Sequence, residues 1–201
     1  IMNKFDWIFF DLDGTLADSI KIMNDVYFKF LAHFNLKGNI DEFNQLNGPS
    51  LNEIIIFLKN KYCLEPSIEQ LYHTYEIFLE EVYSKKVKPM KGSTDLLKKL
   101  YKKKYNLALV SSSTTNIVKN FLNTNNWTQY FSVIVSGNEV KKSKPSPEIY
   151  DLCVTRANAI KKNVLVVEDS KKGYESATKA GLECILLNNK DINLDYVLLK
   201  C

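Results

Sequence analysis

The amino-acid sequence predicts an α/β protein, with a doubly wound parallel sheet and an all-helical domain inserted after the first strand. Two observations predict this class. From residue 93 onward, short apolar runs alternate with segments of helical periodicity, as in sheets whose parallel strands are joined by helices. Between residues 17 and 89 the periodicity is helical only. We therefore expect a core domain of residues 1–16 and 90–201 and an inserted helical domain of residues 17–89.

Five short apolar runs are predicted to be the strands of the sheet. They are WIFF at 7–10, NLALV at 106–110, FSVIV at 131–135, NVLVV at 163–167 and ECILL at 183–187. Parallel strands need a long crossover connection, which is usually a helix. The crossover helices are predicted around 93–104, 115–124, 147–158 and 173–180. Ser146 is expected to cap the third of them, with Pro147 at its first position.

Three helices are predicted in the inserted segment, each with an apolar stripe at helical spacing. The stripes are Ile20, Met23, Tyr27, Leu31 and Phe34 in the first helix, Ile54, Ile55 and Leu58 in the second, and Leu71, Tyr75, Phe78 and Val82 in the third. The second helix opens with Ser50 and Glu53, which fit a capping box. We expect hinges near 17–19 and 87–92, where the chain passes between the two domains.

The composition argues against several classes of protein. The net charge is +4 and the lysines are scattered along the chain, so no nucleic-acid partner is expected. No apolar run reaches the length of a membrane span, so no membrane partner is expected either. The two histidines, His33 and His73, argue against a zinc site or a Ser-His-Asp triad. Because Arg156 is the only arginine, phosphate recognition would depend on lysine, hydroxyls, backbone amides or metal.

The cysteines carry a weaker indication about the compartment. The chain has four, Cys63, Cys153, Cys184 and Cys201, which lie far apart with no CxxC spacing. This pattern predicts reduced, mostly buried thiols and therefore a cytoplasmic protein. A monomer or a weak dimer is expected.

Polar side chains follow four of the predicted strands. They are Asp11 and Asp13, the serines 111–113, Lys144, and the pair Glu168 and Asp169. Each type alone has an ordinary structural role, as a loop residue, a helix cap or a solvated lysine. Because the carboxyl ends of parallel strands form one edge of the sheet, we expect these side chains to meet there. The set combines carboxylates for a hard cation with hydroxyls and an ammonium for phosphate oxygens.

The spacing of the two aspartates indicates that a cation, a shared proton or both must compensate their charges. Side chains of a strand repeat every second residue, so Asp11 and Asp13 are expected on the same side and repel each other. Mg²⁺ binds oxygen ligands and often uses one or two carboxylates plus a substrate phosphate. One carboxylate could then attack phosphorus, while the other protonates the leaving oxygen and later deprotonates water. Lys144 and Ser111 would stabilise charge on the transferred group.

Four segments resemble the motifs of the haloacid dehalogenase-like (HAD) superfamily. They are DLDGTLADS, LVSSS, SGNEVKKSKPSPEIY and VLVVEDSKKGYESATKAG. The position of the insert is similar to that in the subclass with a small helical cap, which includes phosphoglycolate phosphatases and β-phosphoglucomutases. The resemblance covers nearly the whole chain and implies the same α/β core with a helical cap.

The resemblance also implies a role for each site residue. Asp11 is the nucleophile that forms an aspartyl-phosphate, and Asp13 is the general acid and base. Ser111, Lys144 and the backbone amide of Ser112 bind phosphate. Asp11, the carbonyl of Asp13 and Asp169 hold Mg²⁺. Glu168 is either a further acidic metal ligand or a partner of the ligands, and both roles stay open.

Departures from the family pattern narrow the expected activity. Dehalogenases of the family lack the second aspartate of the first motif, which is Asp13 here. Phosphonate-cleaving members carry a cap lysine, but residues 47–57 contain none. β-Phosphoglucomutases usually have a histidine near the start of the cap and an arginine after the cap glycine, where this chain has Met23 and Leu51. We therefore expect a Mg²⁺-dependent phosphatase acting on a small phosphorylated metabolite, with a β-phosphoglucomutase-like sugar phosphate mutase as the alternative.

Two further classes are less consistent with the sequence. Signalling receiver domains also combine a phospho-accepting aspartate with a hydroxyl and a lysine, but they lack both an acid two residues later and a helical insert. A binding protein without catalytic activity is not indicated, because each of the four motifs contains the residue types that the proposed chemistry needs. Contacts that set substrate specificity are expected in the first helix of the cap and around Gly48–Asn52.

Overall fold

The computed structural model of the chain describes residues 4–187 and 196–197. Its strands and helices follow one another in this order: β1 (Trp7–Phe10), β2 (Ala17–Asp18), α1 (Ile20–His33), α2 (Ile40–Gln45), α3 (Leu51–Tyr62), α4 (Ile68–Lys86), β3 (Lys88–Pro89), α5 (Ser93–Lys102), β4 (Asn106–Ser111), α6 (Thr115–Thr124), β5 (Val133–Ser136), α7 (Glu148–Ala157), β6 (Val164–Glu168), α8 (Lys171–Lys179) and β7 (Glu183–Leu186). Three single turns of 3₁₀ helix lie at Thr128–Tyr130, Gly137–Glu139 and Lys161–Asn163.

Over the described residues, the main sheet has five parallel strands in the order β5-β4-β1-β6-β7. β1 is the central strand, and its last residue, Phe10, lies beside Leu109 on one side and Val167 on the other. The predicted α/β class and all five predicted strands are confirmed, with ends that differ by no more than two residues. Since the strands run in one direction, residues that follow β1, β4 and β6 come together at one edge.

Both faces of the sheet are buried, as is usual for a parallel sheet covered by helices. Alternate residues of the strands point to opposite faces, so Ile8 and Phe10 pack in one apolar cluster and Phe9 in the other. The first cluster continues into the inserted segment through residues such as Phe30 and Leu71. The sheet and the inserted helices therefore share one continuous core.

The inserted segment contains four helices rather than the three predicted. The additional helix, α2, has six residues, of which Glu42 and Phe43 are buried, so it carries no apolar stripe long enough to recognise. The predicted capping box of α3 is confirmed: Ser50 and Glu53 each accept a hydrogen bond from the other's backbone N–H. The stripe of α4 differs from the prediction in its second half, where Leu79 and Tyr83 are buried.

A buried carboxylate joins the first three helices of the segment. Glu42 accepts hydrogen bonds from Tyr27, at 2.7 Å, and Tyr62, at 3.0 Å, and forms an ion pair with Lys61. Burial alone would raise the pKa of Glu42, but the hydrogen bonds from Lys61 and the two tyrosines outweigh it and lower the pKa. A fully satisfied buried carboxylate of this kind fixes the packing of α1, α2 and α3.

The chain enters and leaves the inserted segment through two adjacent connections. β2 and β3 pair antiparallel, with Ala17 beside Pro89 and Asp18 beside Lys88. Both predicted hinges lie at this pair of short strands, and their hinge role stays a prediction. At α7 the predicted cap is wrong by one position: Pro147 is the N-cap residue, and Ser146 accepts from the Glu148 N–H only at 3.4 Å.

Three cysteines lie in the part of the chain that the structure describes, and all are free thiols. Cys153 is buried, Cys184 is half-buried and Cys63 is exposed, whereas Cys201 lies outside the described residues. Among the described helices, none combines the length and the apolar character needed to cross a bilayer.

Candidate active site

The loop after β1 turns back sharply at the edge of the sheet. The backbone N–H of Asp11 donates to Val167 O at 3.0 Å, which continues the ladder beyond the strand. The backbone N–H groups of Leu16 and Ala17 both donate to Leu12 O at 2.9 Å, which closes a tight turn. Gly14 sits in this turn with a φ of +84°, and a Cβ there would lie 2.1 Å from Asp169 Oδ2. The turn therefore requires glycine, and it brings the loop directly against Asp169.

Lys144 forms the cationic centre of the site. Its ammonium donates to Asp11 Oδ1 at 2.7 Å and to Glu168 Oε1 at 2.6 Å, and all three residues are buried. Burial alone would lower the pKa of Lys144, but the charges of Asp11 and Glu168 outweigh it and raise the pKa. Two carboxylates therefore stabilise the positive charge of Lys144.

Glu168 is held by further contacts besides Lys144. Tyr150, fully buried on α7, donates its hydroxyl hydrogen to Glu168 Oε1 at 2.6 Å. Gly173, in the first turn of α8, leaves space for this carboxylate, because a Cβ at Gly173 would lie within 2.2 Å of both oxygens. Glu168 therefore accepts hydrogen bonds from Lys144, Tyr150 and, at 3.4 Å, the hydroxyl of Ser170, and Gly173 leaves room for it.

Three carboxylates lie close enough to share a cation. Oxygen atoms of Asp11, Glu168 and Asp169 all lie within 4.8 Å of one another. Burial, reinforced by the charge of Glu168, raises the pKa of Asp169 to about 7. Burial and Glu168 likewise raise the pKa of Asp11 well above its ordinary value, despite the opposing effect of Lys144. Ionising all three carboxylates would place more negative charge here than Lys144 alone compensates.

Asp13 has a different environment from Asp11, because hydroxyl groups surround it. Ser19 and Tyr83 donate to Oδ1, both at 2.7 Å, while Ser113 at 2.8 Å and Ser111 at 3.4 Å donate to Oδ2. Hydroxyls can both donate and accept, so this shell can bind the carboxylate and the carboxylic acid. Tyr83 reaches Asp13 from the last turn of α4, in the inserted segment.

The two serines predicted to bind phosphate occupy different positions. Ser111 is completely buried, and its hydroxyl also accepts from the Ser113 N–H at 3.1 Å. Ser112 is half-buried and donates its hydroxyl hydrogen to Gly48 O, in the inserted segment, at 2.7 Å. Ser112 therefore connects the edge of the sheet to the loop between α2 and α3.

A cavity of about 60 Å³ lies between the edge of the sheet and the inserted helices. Of the seven residues predicted for the site, five line it: Asp11, Asp13, Ser112, Lys144 and Asp169. The other two, Ser111 and Glu168, lie behind this lining, in contact with Asp13 and Lys144 respectively. The structure thus brings all seven predicted residues into one region.

Three residues of the site were not found from the sequence: Ser19, Tyr83 and Tyr150. Ser113 belongs to the predicted serine run, but no role was assigned to its side chain. The three missed residues act through contacts made only in the folded chain. Ser19 looks like a helix cap, and Tyr83 and Tyr150 look like core aromatics. An available signal for Tyr83 was its place four residues after Leu79 on the buried stripe of α4.

Comparison with known proteins identifies a family and several relatives of the chain. Residues 8–187 match the family model described as haloacid dehalogenase-like hydrolase. A phosphorylated carbohydrates phosphatase of Thermotoga maritima is 30% identical over 178 residues, which cover 89% of this chain and 82% of the relative. A 6-phosphogluconate phosphatase of Escherichia coli is 25% identical, with 95% of this chain and 88% of the relative covered.

A solved structure has the same fold at lower sequence identity. CbbY from Rhodobacter sphaeroides, in complex with phosphate, superposes with a TM-score of 0.81 at 21% identity. The superposition covers 92% of this chain and 87% of CbbY. At this identity the likeness concerns the fold, including both the sheet and the inserted helices.

Proposed function

The chain belongs to the haloacid dehalogenase-like hydrolase family, and on this basis we propose that it is a Mg²⁺-dependent phosphatase of small phosphate monoesters that acts through an aspartyl-phosphate. The observation that carries the proposal is the pairing of two differently held aspartates on one cavity. Asp11 is fixed by Lys144 at 2.7 Å, while Asp13 is surrounded by hydroxyls. One suits attack on phosphorus and the other proton transfer.

The residues present fit a magnesium ion. The donor set consists of carboxylate oxygens, which hard divalent cations prefer. Burial, followed by the charge of Glu168, raises the pKa of Asp11 and of Asp169, and a nearby cation would favour their charged forms. We infer that Asp11 and Asp169 hold the ion, with the carbonyl of Asp13. Glu168 would act as a partner of the ligands, because Lys144 and Tyr150 already occupy Oε1. The bound ion would supply positive charge for the phosphate oxygens.

The side chains can carry out the reaction in two displacements. A carboxylate oxygen of Asp11 forms a bond to phosphorus, the bond to the leaving oxygen breaks, and that oxygen takes a proton from Asp13. Water then attacks phosphorus while Asp13 takes its proton, which releases phosphate and the Asp11 carboxylate. Lys144 lies beside the reacting oxygen and would stabilise the charge on the transferred group. The hydroxyl of Ser111 and the backbone N–H of Ser112 are assigned to the phosphate oxygens.

We propose further that residues 17–89 form a cap domain over a core of residues 1–16 and 90–201. The paired connections β2 and β3 support this division, because the chain leaves and re-enters at one place. Closure of such a cap would exclude water from the aspartyl-phosphate before the leaving alcohol departs. The cytoplasmic location and the monomeric or weakly dimeric state stay predictions.

The β-phosphoglucomutase-like alternative receives less support. Met23 and Leu51, at the positions where such mutases usually carry histidine and arginine, line the cavity as apolar side chains. Following glucose 1-phosphate by NMR distinguishes the two activities. We expect inorganic phosphate and glucose, whereas glucose 6-phosphate as the main product would favour the mutase.

The metal requirement provides a test of the proposed function. Hydrolysis of p-nitrophenyl phosphate is expected to stop in EDTA and to return when excess Mg²⁺ is added. In Asp169→Asn, one proposed ligand loses its charge. Half-maximal activity should need at least about 10- to 100-fold more Mg²⁺, the loss that removing a hydrogen-bonding partner of a ligand already causes. Asp95→Asn, at an exposed position on α5, is the control and should titrate like the wild type. Activity that persists in EDTA would contradict the proposal.

Tyr83 is expected to act as a positioning residue for Asp13. In Tyr83→Phe the ring stays packed against Phe121, but the hydrogen bond to Asp13 is lost. We expect kcat to fall about tenfold with KM nearly unchanged, because proton transfer in the transition state depends on the orientation of Asp13. Tyr62→Phe, which removes a comparable hydroxyl from Glu42 away from the cavity, should leave kcat unchanged. Equal kcat values for the two variants would refute this role.

A further inference from the structure

The cavity has two chemically different halves. The wall formed by the edge of the sheet carries the charged and hydroxyl groups described above. The wall formed by the inserted helices is apolar, with six aliphatic or thioether side chains: Ile20, Met23, Leu46, Leu51, Ile54 and Leu79. If phosphate binds at the charged half, the alcohol that leaves must lie against this apolar half.

In the described part of the chain, all charged side chains that line the cavity belong to the proposed catalytic and metal-binding residues. Over the described part of the chain, the charged lining residues are Asp11, Asp13, Lys144 and Asp169. Each already has a role toward phosphate, proton transfer or the metal. Lys172 lies against Gly48 outside the lining, and its ammonium donates to Gln45 O at 2.5 Å. No cation among the lining residues is therefore left to pair with a second anionic group on the substrate.

A few neutral polar groups complete the lining. Thr114 is 5% exposed, and its hydroxyl oxygen is buried without a hydrogen-bond partner among the described residues. Asn47 and Tyr75 also line the cavity with uncharged polar ends. An unpartnered buried hydroxyl is costly, and a hydroxyl or ether oxygen on a bound molecule would satisfy it. The lining can thus recognise a few neutral polar atoms on a mainly apolar molecule.

A second groove, of about 430 Å³, lies next to the cavity and contains Lys141. Leu51, Ser112 and Thr114 line both spaces and so form the wall between them. A leaving group of three or four heavy atoms would remain on the near side of this wall. The character of the cavity itself is therefore best tested with short esters.

We propose that the substrate is a phosphate monoester of a short, uncharged and mainly apolar alcohol, which deepens the proposed function and depends on it. Substrates with a second anionic group next to the ester would place that charge against the apolar wall without a partner. Burying an unpaired charge is far more costly than burying an alkyl group. Polyols would lose hydrogen bonds to water that the lining replaces only in part.

A matched pair of esters tests this proposal on the wild-type protein with Mg²⁺. Isobutyl phosphate and carboxymethyl phosphate have leaving groups with the same number and branching of heavy atoms, but only the second carries a carboxylate. We expect kcat/KM for isobutyl phosphate to be at least about tenfold higher. Glycerol 1-phosphate, which is neutral but polar in its leaving group, should fall between them.

Introducing a cation into the apolar wall should reverse the preference. In Leu51→Arg the guanidinium can pair with the carboxylate, so the ratio of kcat/KM should shift toward carboxymethyl phosphate by about tenfold or more. Leu51→Met is the neutral control and should keep the wild-type ratio. Ile54→Arg, at a half-buried position, provides a second variant if Leu51→Arg does not fold.

The outcomes separate this inference from the proposed function. Hydrolysis of p-nitrophenyl phosphate together with a preference for carboxymethyl phosphate would overturn the inference alone. Failure to hydrolyse any ester with Mg²⁺ would overturn the proposed function, and the inference with it. Preference for the isobutyl ester in the wild type supports the inference whether or not the arginine variants fold.

Discussion

Replacing Asp11 with asparagine is expected to reduce kcat for phosphate monoesters on the order of 10⁴-fold or more. The amide keeps the shape of the side chain but is not a competent nucleophile toward phosphorus. It also removes one carboxylate from the proposed Mg²⁺ site. The loss should therefore appear with every ester, including p-nitrophenyl phosphate, whose leaving group needs no protonation.

The fold should tolerate this change. Burial and the nearby charges of Glu168 and Asp169 raise the pKa of Asp11. Keeping its negative charge therefore destabilises the folded protein when no metal is bound. Lys144 keeps Glu168 as a partner in Asp11→Asn. We expect a melting temperature within a few degrees of the wild type, with Asp95→Asn as the matched control for both readouts. Turnover within about tenfold of the wild type would exclude Asp11 as the nucleophile.

Replacing Lys144 with methionine is expected to impair both stability and catalysis. The change removes the ammonium from between Asp11 and Glu168 and leaves two buried carboxylates facing each other. Breaking a buried ion pair by removing one partner costs about 3–5 kcal/mol of unfolding free energy. We expect a loss of that size in denaturant melts, and a fall in kcat on the order of 10³-fold because the transferred group loses a fixed positive charge.

The pH dependence of Lys144→Met distinguishes lost charge from lost packing. A carboxylate whose pKa is raised by folding contributes stability below its unfolded pKa and loses it as pH rises through the folded pKa. Burial already raises the pKa of Asp11, and removing Lys144 removes an opposing effect. In EDTA, the deficit relative to the wild type should therefore be larger at pH 8 than at pH 5. A deficit independent of pH would indicate a packing defect instead.

Lys161→Met provides the matched control for this experiment. Lys161 also pairs with a carboxylate, that of Asp151, at 2.8 Å, but both side chains are about half exposed. Exposed ion pairs contribute about 0–1 kcal/mol. The control should therefore unfold almost like the wild type at both pH values and keep its activity.

The sequence was sufficient to predict the sheet and the charged edge of the site, because both depend on residues next to one another in the chain. Asp11 directly follows β1 and Asp169 directly follows β6. Because these neighbouring strands are parallel, the two aspartates come together at one edge of the sheet. The capping box at Ser50 was predictable for the same reason, since a local motif needs only local partners.

The rest depends on contacts between distant segments. The partners of Asp13 include Tyr83, 70 residues away in the chain, and its helical stripe fits a core role as well as a catalytic one. The choice between two roles for Glu168 depends on Lys144 and Tyr150, which reach it from another loop and another helix. α2 was not predicted, because six residues with one buried aromatic side chain are too few to show helical periodicity.

Trapping the covalent intermediate is the most direct test of the central role assigned to Asp11. In Asp13→Ala, p-nitrophenyl phosphate can still transfer its phosphoryl group, but no general base remains to activate water, so an aspartyl-phosphate should accumulate. Acid quenching followed by borohydride reduction converts an acyl phosphate to an alcohol. We predict homoserine at position 11 by mass spectrometry. Unreduced Asp11 with a reduced side chain at another aspartate or glutamate, or no reduced residue at all, would contradict the account.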